Sequence, residues 1–351
     1  MGYDDGAKEQ FIHWYSKLQN SREHVRKVLK KMEPFEIAWG MDYSLQDVPQ
    51  LEHAVNEVIG TRIQSAENTL IILRDYVKWR EHNLYPVSDS IYWIKLDIVR
   101  QMRENMVGSP KHLKNVLKYV FDDPRQHTSD CIYRAFLWLG YMGVDSSDTI
   151  RITTDDVDMD NMVISCGNES FKIYEESKQD FLSAVTLTEF EDNKHRKDGI
   201  VLHRVIKRKD GNEILRGMIN SRRQELSEDY LNSTIRTVIT KKFRIASEKR
   251  DMALSKAIES GCNPEKICSM HFNLTFKDVY LSGLFYRMYE SEMRDGIVDF
   301  YPDAQRTMER KESRGMEYKE SEHSGRQKML ARTVRDLSTN YTFWKEAFYD
   351  K

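Results

Sequence analysis

No apolar run in these 351 residues comes near the roughly 18 that a membrane helix needs. The opening MGYDDGAKEQ has neither the basic flank nor the apolar stretch of a secretory signal, so a cytoplasmic protein, in a bacterial or phage-infected cell, is expected. Cysteine is scarce: the four residues Cys131, Cys166, Cys262 and Cys268 show no Cys-x-x-Cys spacing, which points to reduced thiols rather than a zinc or redox centre. Phosphate loops, dinucleotide glycine motifs and histidine-rich metal spacings are missing too, and no cofactor or metal is expected. The run Asp155, Asp156, Asp158, Asp160 lacks the glycine and closing glutamate of a calcium loop and reads as a turn. An excess of one charge is also absent, with 54 Lys and Arg against 56 Asp and Glu.

What is present is a soluble, globular composition, 40 % apolar and 31 % charged, with room for two domains that each bury a core. The near-zero net charge conceals a strong separation. Asp145 to Asp192 holds 13 acidic and 3 basic residues, a net −10, while Lys194 to Arg250 holds 16 basic and 7 acidic, a net +9. Phosphate binding responds to the local field of one face and not to the sum, so the basic stretch is a candidate nucleic-acid contact. Mutual neutralisation of the two stretches in the fold is the competing reading.

Apolar spacing predicts helices over Lys8 to Met32, Ala66 to Asn83 and Ser88 to Met106. The second is expected to bury Leu70, Ile71, Leu73, Tyr76, Val77 and Trp79, the third Ile91, Tyr92, Ile94, Ile98 and Met102. A break at Val107-Gly108-Ser109-Pro110 then opens a second domain with helices over His112 to Phe121 and Ser129 to Tyr141. Strands are expected at Ile150 to Thr153, Met162 to Ser165, Ser170 to Tyr174 and Val201 to Lys207, a helix over Glu175 to Leu187, and mostly helix from Leu231 onward. The fold class is therefore mainly α with a small antiparallel β-sheet.

Tyr141 to Ile164, YMGVDSSDTIRITTDDVDMDNMVI, carries the most specific signal. It resembles the entrance to the catalytic domain of tyrosine recombinases (phage integrases), where a Thr-Gly-Leu-Arg-x-x-Glu turn precedes a Leu-x-Trp-x-Asp-Ile-Asp segment. Gly143, Val144, Ser147, Asp148 and Asp156-Val157-Asp158 fall on matching positions, and Asp145 stands where the first catalytic arginine belongs. NTLIILRDYVKW similarly resembles, more loosely, a helix of the family's core-binding module. The resemblance implies a helical core-binding (SAM-like) domain over residues 1–106 and a tyrosine recombinase-like domain over 107–351.

Enzymes of that family attack a phosphodiester with a tyrosine while two arginines clamp the non-bridging oxygens and a lysine and a histidine move protons. In LTFKDVYLSGLFYRMYE, which resembles the family's His-x-x-Arg motif, the positions of that histidine and of the second arginine hold Lys277 and Tyr280. Tyrosine cannot replace a guanidinium fork, and a carboxylate at 145 would repel the phosphate. The hairpin that usually presents the catalytic lysine is CGNESFK, whose tip Gly167-Asn168-Glu169 has none; Lys172 lies further along. SEHSG and STNYTFWKEAF resemble the phrases of the last histidine and the nucleophile, which would make His323 and Tyr341 the degenerate matches.

The reading that follows is a protein that binds duplex DNA in a clamp but has lost strand transfer, a regulator (repressor) or architectural factor of a phage or mobile element. Its phosphate contacts are expected from Arg26, Lys27 and Lys30 in the first helix, from Lys194, Arg196, Lys197, Lys207, Arg208, Lys209, Arg222, Arg223, Lys241, Lys242 and Arg244 in the basic stretch, and from Lys277. Self-association and release by a protein or peptide partner stay open. The alternative is an active integrase in which Arg151 or Arg287 supplies the clamp.

Overall fold

The computed structural model describes residues 4–121, 130–195, 201–216, 227–259, 274–313, 315 and 322–350. In chain order the helices are α1 (Asp5–Tyr15), α2 (Gln19–Trp39), α3 (Val48–Val58), α4 (Ile63–His82), α5 (Ile98–Asn105), α6 (Pro110–Phe121), α7 (Asp130–Met142), α8 (Lys178–Thr186), α9 (Arg236–Glu259), α10 (Phe276–Asp295), α11 (Tyr301–Ser313) and α12 (Glu322–Phe348). The strands β1 (Val157–Asp158), β2 (Val163–Cys166) and β3 (Glu169–Lys172) form an antiparallel sheet in that order, with Ile164 opposite Phe171. A separate hairpin pairs β4 (Glu189–His195) with β5 (Val201–Lys207), Glu189 opposite Lys207. The mainly α architecture with a small antiparallel sheet is thus as expected, and no helix among the described residues is long and apolar enough to cross a membrane.

Two compact units divide the chain: residues 1–103 with 300–351, and residues 104–299. The first unit gives way to the second at residues 103/104, and the last segment, 300–351, returns to the first unit. The physical reason lies in α12. Its Asn340 accepts from the Ile63 amide (3.1 Å) and donates to Gln64 Oε1 (2.9 Å), and the Ala347 carbonyl accepts from Arg103 (3.3 Å).

In the first unit, the helix expected over Lys8 to Met32 is two helices. Ser16 is extended, its hydroxyl accepts from the Leu18 amide (3.1 Å) and its carbonyl from Arg22 Nε (2.7 Å), so the chain turns between α1 and α2. Ile71 and Tyr92, expected to be buried, are exposed, and Ile72 is buried in Ile71's place. Only a one-turn helix at Ser90–Tyr92 and α5 form within the expected third helix. The core, built on Phe11, Met32, Tyr43, Leu73 and Tyr76, also encloses charge. Glu36 is fully buried against Lys8, while Arg80 pairs with Asp42 (3.0 Å) and Asp4 (2.7 Å). Burial pushes the Glu36 carboxyl up to about 7 despite the neighbouring Lys8 ammonium.

The second unit closes around α7, whose Phe136, Trp138 and Tyr141 are completely buried. Trp138 Nε1 (2.9 Å) and Arg134 Nε (2.7 Å) both donate to the Asp180 carboxylate on α8. Instead of a strand at Ile150 to Thr153 there is a one-turn helix at Thr149–Arg151 and a single bridge from Thr153 to Glu213. The Thr153 amide and hydroxyl both bond the Asp156 carboxylate (2.8 Å each), which starts a helical turn where a strand would have to continue.

Candidate nucleic-acid interface

The turn that carries Asp145 is set by a close helix crossing. α10 lies on α7 with Gly283 against the Tyr141 carbonyl, Gly140 under the Phe276 ring and Gly143 (φ +106°) under the Arg287 guanidinium. Side chains at these glycines would hold the helices apart, and only glycine readily takes the φ at 143. Arg287 Nη1 donates to the Tyr141 carbonyl (2.6 Å), capping the C-terminal end of α7. Past Gly143 the Asp145 carboxylate accepts from the Ser147 amide (3.2 Å) and hydroxyl (3.1 Å) and so stabilises its own turn. Arg236, at the start of α9, donates to the Ser146 hydroxyl (2.9 Å). Lys277 (exposed) and Tyr280 (half-buried) lie on the first two turns of α10, in the same unit as Asp145.

The two C-terminal matches part company with these. His323 falls at the start of α12, its side chain outside those described, and Tyr341 lies 18 residues on, about 27 Å along the axis at 1.5 Å per residue. Both belong to the first compact unit. Tyr341 is buried, stacked on Trp344 and edge-on to Phe300, a core position and not that of an accessible nucleophile. Of the arginines considered as stand-ins, Arg151 is largely exposed beside Asp148 (3.9 Å), and Arg287 is engaged at the crossing.

The basic residues sort by what they touch. Arg196, Lys197, Arg222 and Arg223 lie outside the described residues, and Lys194 is placed only by its register opposite Leu202. Arg208 is corrected from a DNA contact to a core residue. Its side chain is buried, donating to the carbonyls of Ala184 (2.6 Å), Leu187 (3.1 Å), Ile214 (2.6 Å) and Arg216 (3.3 Å), and burial lowers its pKa to about 10. Lys242 is likewise withdrawn, half-buried in an ion pair with Asp130 (2.9 Å) and over the Phe121 ring (5.7 Å). Arg26 is held between Glu9 (2.8 Å) and Glu23 (2.7 Å), leaving Lys27 and Lys30 exposed on α2. Lys207 is exposed near Glu189 (3.8 Å), and Lys209 is half-buried.

A further exposed basic face lies on α6 and α9. α6 buries Leu113, Val116, Leu117, Val120 and Phe121, and its other side shows Lys111, Lys114 and Lys118. At 100° per residue the three fall in an arc of about 60°, spread over about 10 Å of helix. α6 contains no acidic residue, and among the described residues none of the three lysines has an ion-pair partner. Phe121 meets Phe243 edge-on (6.5 Å), which packs α6 on α9, whose exposed side adds Lys241 and, beside Glu248 (3.9 Å), Arg244. The α6 lysines went unnoticed in the sequence because they lie outside the basic stretch. Their i, i+3, i+7 spacing opposite an apolar stripe was the available signal.

The acidic run, expected as one turn, spans a one-turn helix (Thr154–Asp156), β1 and the turn that follows it, where Asp160 lies. The Asp158 carboxylate accepts from the amides of Asp160 (3.0 Å) and Asn161 (2.9 Å) and from the Asn161 side chain (2.7 Å). The Cys131 thiol is buried and pushed up to about 11, which keeps it protonated and inert.

No protein-family model matches the chain, and no curated protein matches it. Among solved structures, the chain is similar to the integrase of transposon Tn1549, solved in complex with a circular-intermediate DNA. The match is 12 % identical over 84 % of this chain and 99 % of that one, with a TM-score of 0.28, too loose a superposition to establish a shared fold.

Proposed function

We propose that the protein binds duplex DNA through the second compact unit and does so without cutting it. The observation that carries this reading is the lysine face of α6, without an ion-pair partner among the described residues and continued by Lys241 and Arg244 on the helix packed against it. Phosphate contacts of this kind position a protein on DNA and supply most of its salt-dependent affinity. Asp145, committed to its own turn, and Tyr280 offer no fork for a phosphate where the resembled family has arginines. With cleavage absent, occupancy of DNA becomes the function, as in a regulator or architectural factor of a mobile element.

Fluorescence anisotropy with a labelled duplex across 50 to 200 mM salt tests it. Six or more contacts predict a log–log slope steeper than about −5, and replacing Lys111, Lys114 and Lys118 together by alanine should flatten it by about 2.7, at about 0.9 per phosphate. A flat response, or an unchanged slope in the triple variant, refutes the reading.

One contact favours a second reading, a recombinase with a displaced arginine. Arg236 brings a guanidinium to Ser146, next to the position where the resembled family has its first arginine. A covalent adduct on a nicked suicide duplex, lost in Arg236→Ala, would establish that activity.

A further inference from the structure

A groove of about 630 Å³ runs between the start of α4 and the middle of α12, wholly inside the first compact unit. Its wall on α12 is basic: Lys328, Arg332 and Arg335 follow at i, i+4, i+7 and fall within an arc of about 60° of the helix. The opposite wall carries Gln64 and Glu67, and Asp336 on α12 also lines the groove. Asn340 ties the two walls together through its bonds to Ile63 and Gln64, so the groove is a built feature of the unit.

Arg332 and Arg335 are exposed and, among the described residues, neither is paired with Glu67, Asp336 or any other carboxylate. An unpaired guanidinium in a concave site matches the planar, bidentate acceptor that a phosphate offers. Carboxylates beside it repel a continuous polyanion but accept from hydroxyl or amino donors. A ligand that joins one phosphate end to several donors satisfies both walls, and the volume lies in the range of small-molecule sites.

We propose that the α4–α12 groove binds a small phosphorylated compound with hydroxyl or amino donors, of the size of a nucleotide or sugar phosphate. The proposal stands independently of the DNA reading, whose residues lie in the other unit. Calorimetric titration of the full chain with ADP, ribose 5-phosphate and inorganic phosphate tests it. Saturable binding of ADP or ribose 5-phosphate is expected, tighter than that of phosphate alone. In an Arg332→Ala, Arg335→Ala variant with unchanged circular dichroism it should weaken at least tenfold, and Glu67→Gln should weaken it several-fold. Failure of all three probes to bind at millimolar concentration overturns the proposal, as does binding that survives the double substitution. Loss of duplex affinity in that variant, with no effect on any small probe, also overturns it and makes the groove a DNA contact.

Discussion

Gly283→Ala places a methyl group where α10 and α7 touch. The new Cβ would overlap the Tyr141 carbonyl oxygen and lie 2.6 Å from its carbon and 2.8 Å from its Cα, where carbon atoms need about 3.5 to 4 Å. The obstacle is backbone, so the helices must part by about 1 Å. Overpacking of this kind costs about 1 to 3 kcal/mol. Parting also strains the 2.6 Å bond from Arg287 to the Tyr141 carbonyl, and a hydrogen bond to a charged group contributes about 1.5 to 3 kcal/mol. The higher helix propensity of alanine offsets about 1 kcal/mol. The net expectation is a loss of about 2 to 4 kcal/mol confined to the second unit. Urea denaturation followed by circular dichroism, with hydrogen exchange on α7 and α10, measures it. Gly6→Ala is the control of opposite sign: nothing lies within 4 Å of its added methyl, so stability should hold or rise by up to about 1 kcal/mol. A Gly283→Ala protein as stable as the parent, with α7 amides equally protected, would refute the close crossing and the placement of the Asp145 turn derived from it.

Two further outcomes are expected. Glu36 has a folded pKa near 7 against an ordinary 4.5, so the native state holds a proton that the unfolded chain has already released. Its stabilisation is complete below about pH 4.5 and is lost as pH rises towards 7, by up to about 3 kcal/mol at 1.36 kcal/mol per unit. Urea midpoints between pH 5 and 7.5 should therefore fall for the parent and flatten in Glu36→Gln; equal slopes would dismiss the buried carboxyl as their source. Arg208→Lys keeps the charge but cannot reproduce the guanidinium's bonds to four carbonyls, and should cost about 2 to 4 kcal/mol. A variant of full stability but weakened duplex affinity would return Arg208 to the DNA surface.

Helix positions and the identity of the core were readable where apolar residues recur at helical spacing, as at Phe136, Trp138 and Tyr141. Breaks were less so. The turn at Ser16 and the helical start at Thr153 depend on side chains bonding their own backbone, which competes with an otherwise continuous pattern. β4 was missed because EFEDNKH reads as a charged loop until Val201–Lys207 pairs with it.

For the site, the sequence by itself determined which chemical groups exist: an aspartate at 145, a tyrosine at 280, and a surplus of cations after residue 194. Residue identity is local, and no fold can change it. Which cations are available was decided only by tertiary structure, because availability depends on partners distant in the chain. Asp130 takes up Lys242, and carbonyls from two segments, 184–187 and 214–216, enclose Arg208. Lys111, Lys114 and Lys118, by contrast, lie on the face that α6 turns away from its buried stripe and have no ion-pair partner among the described residues.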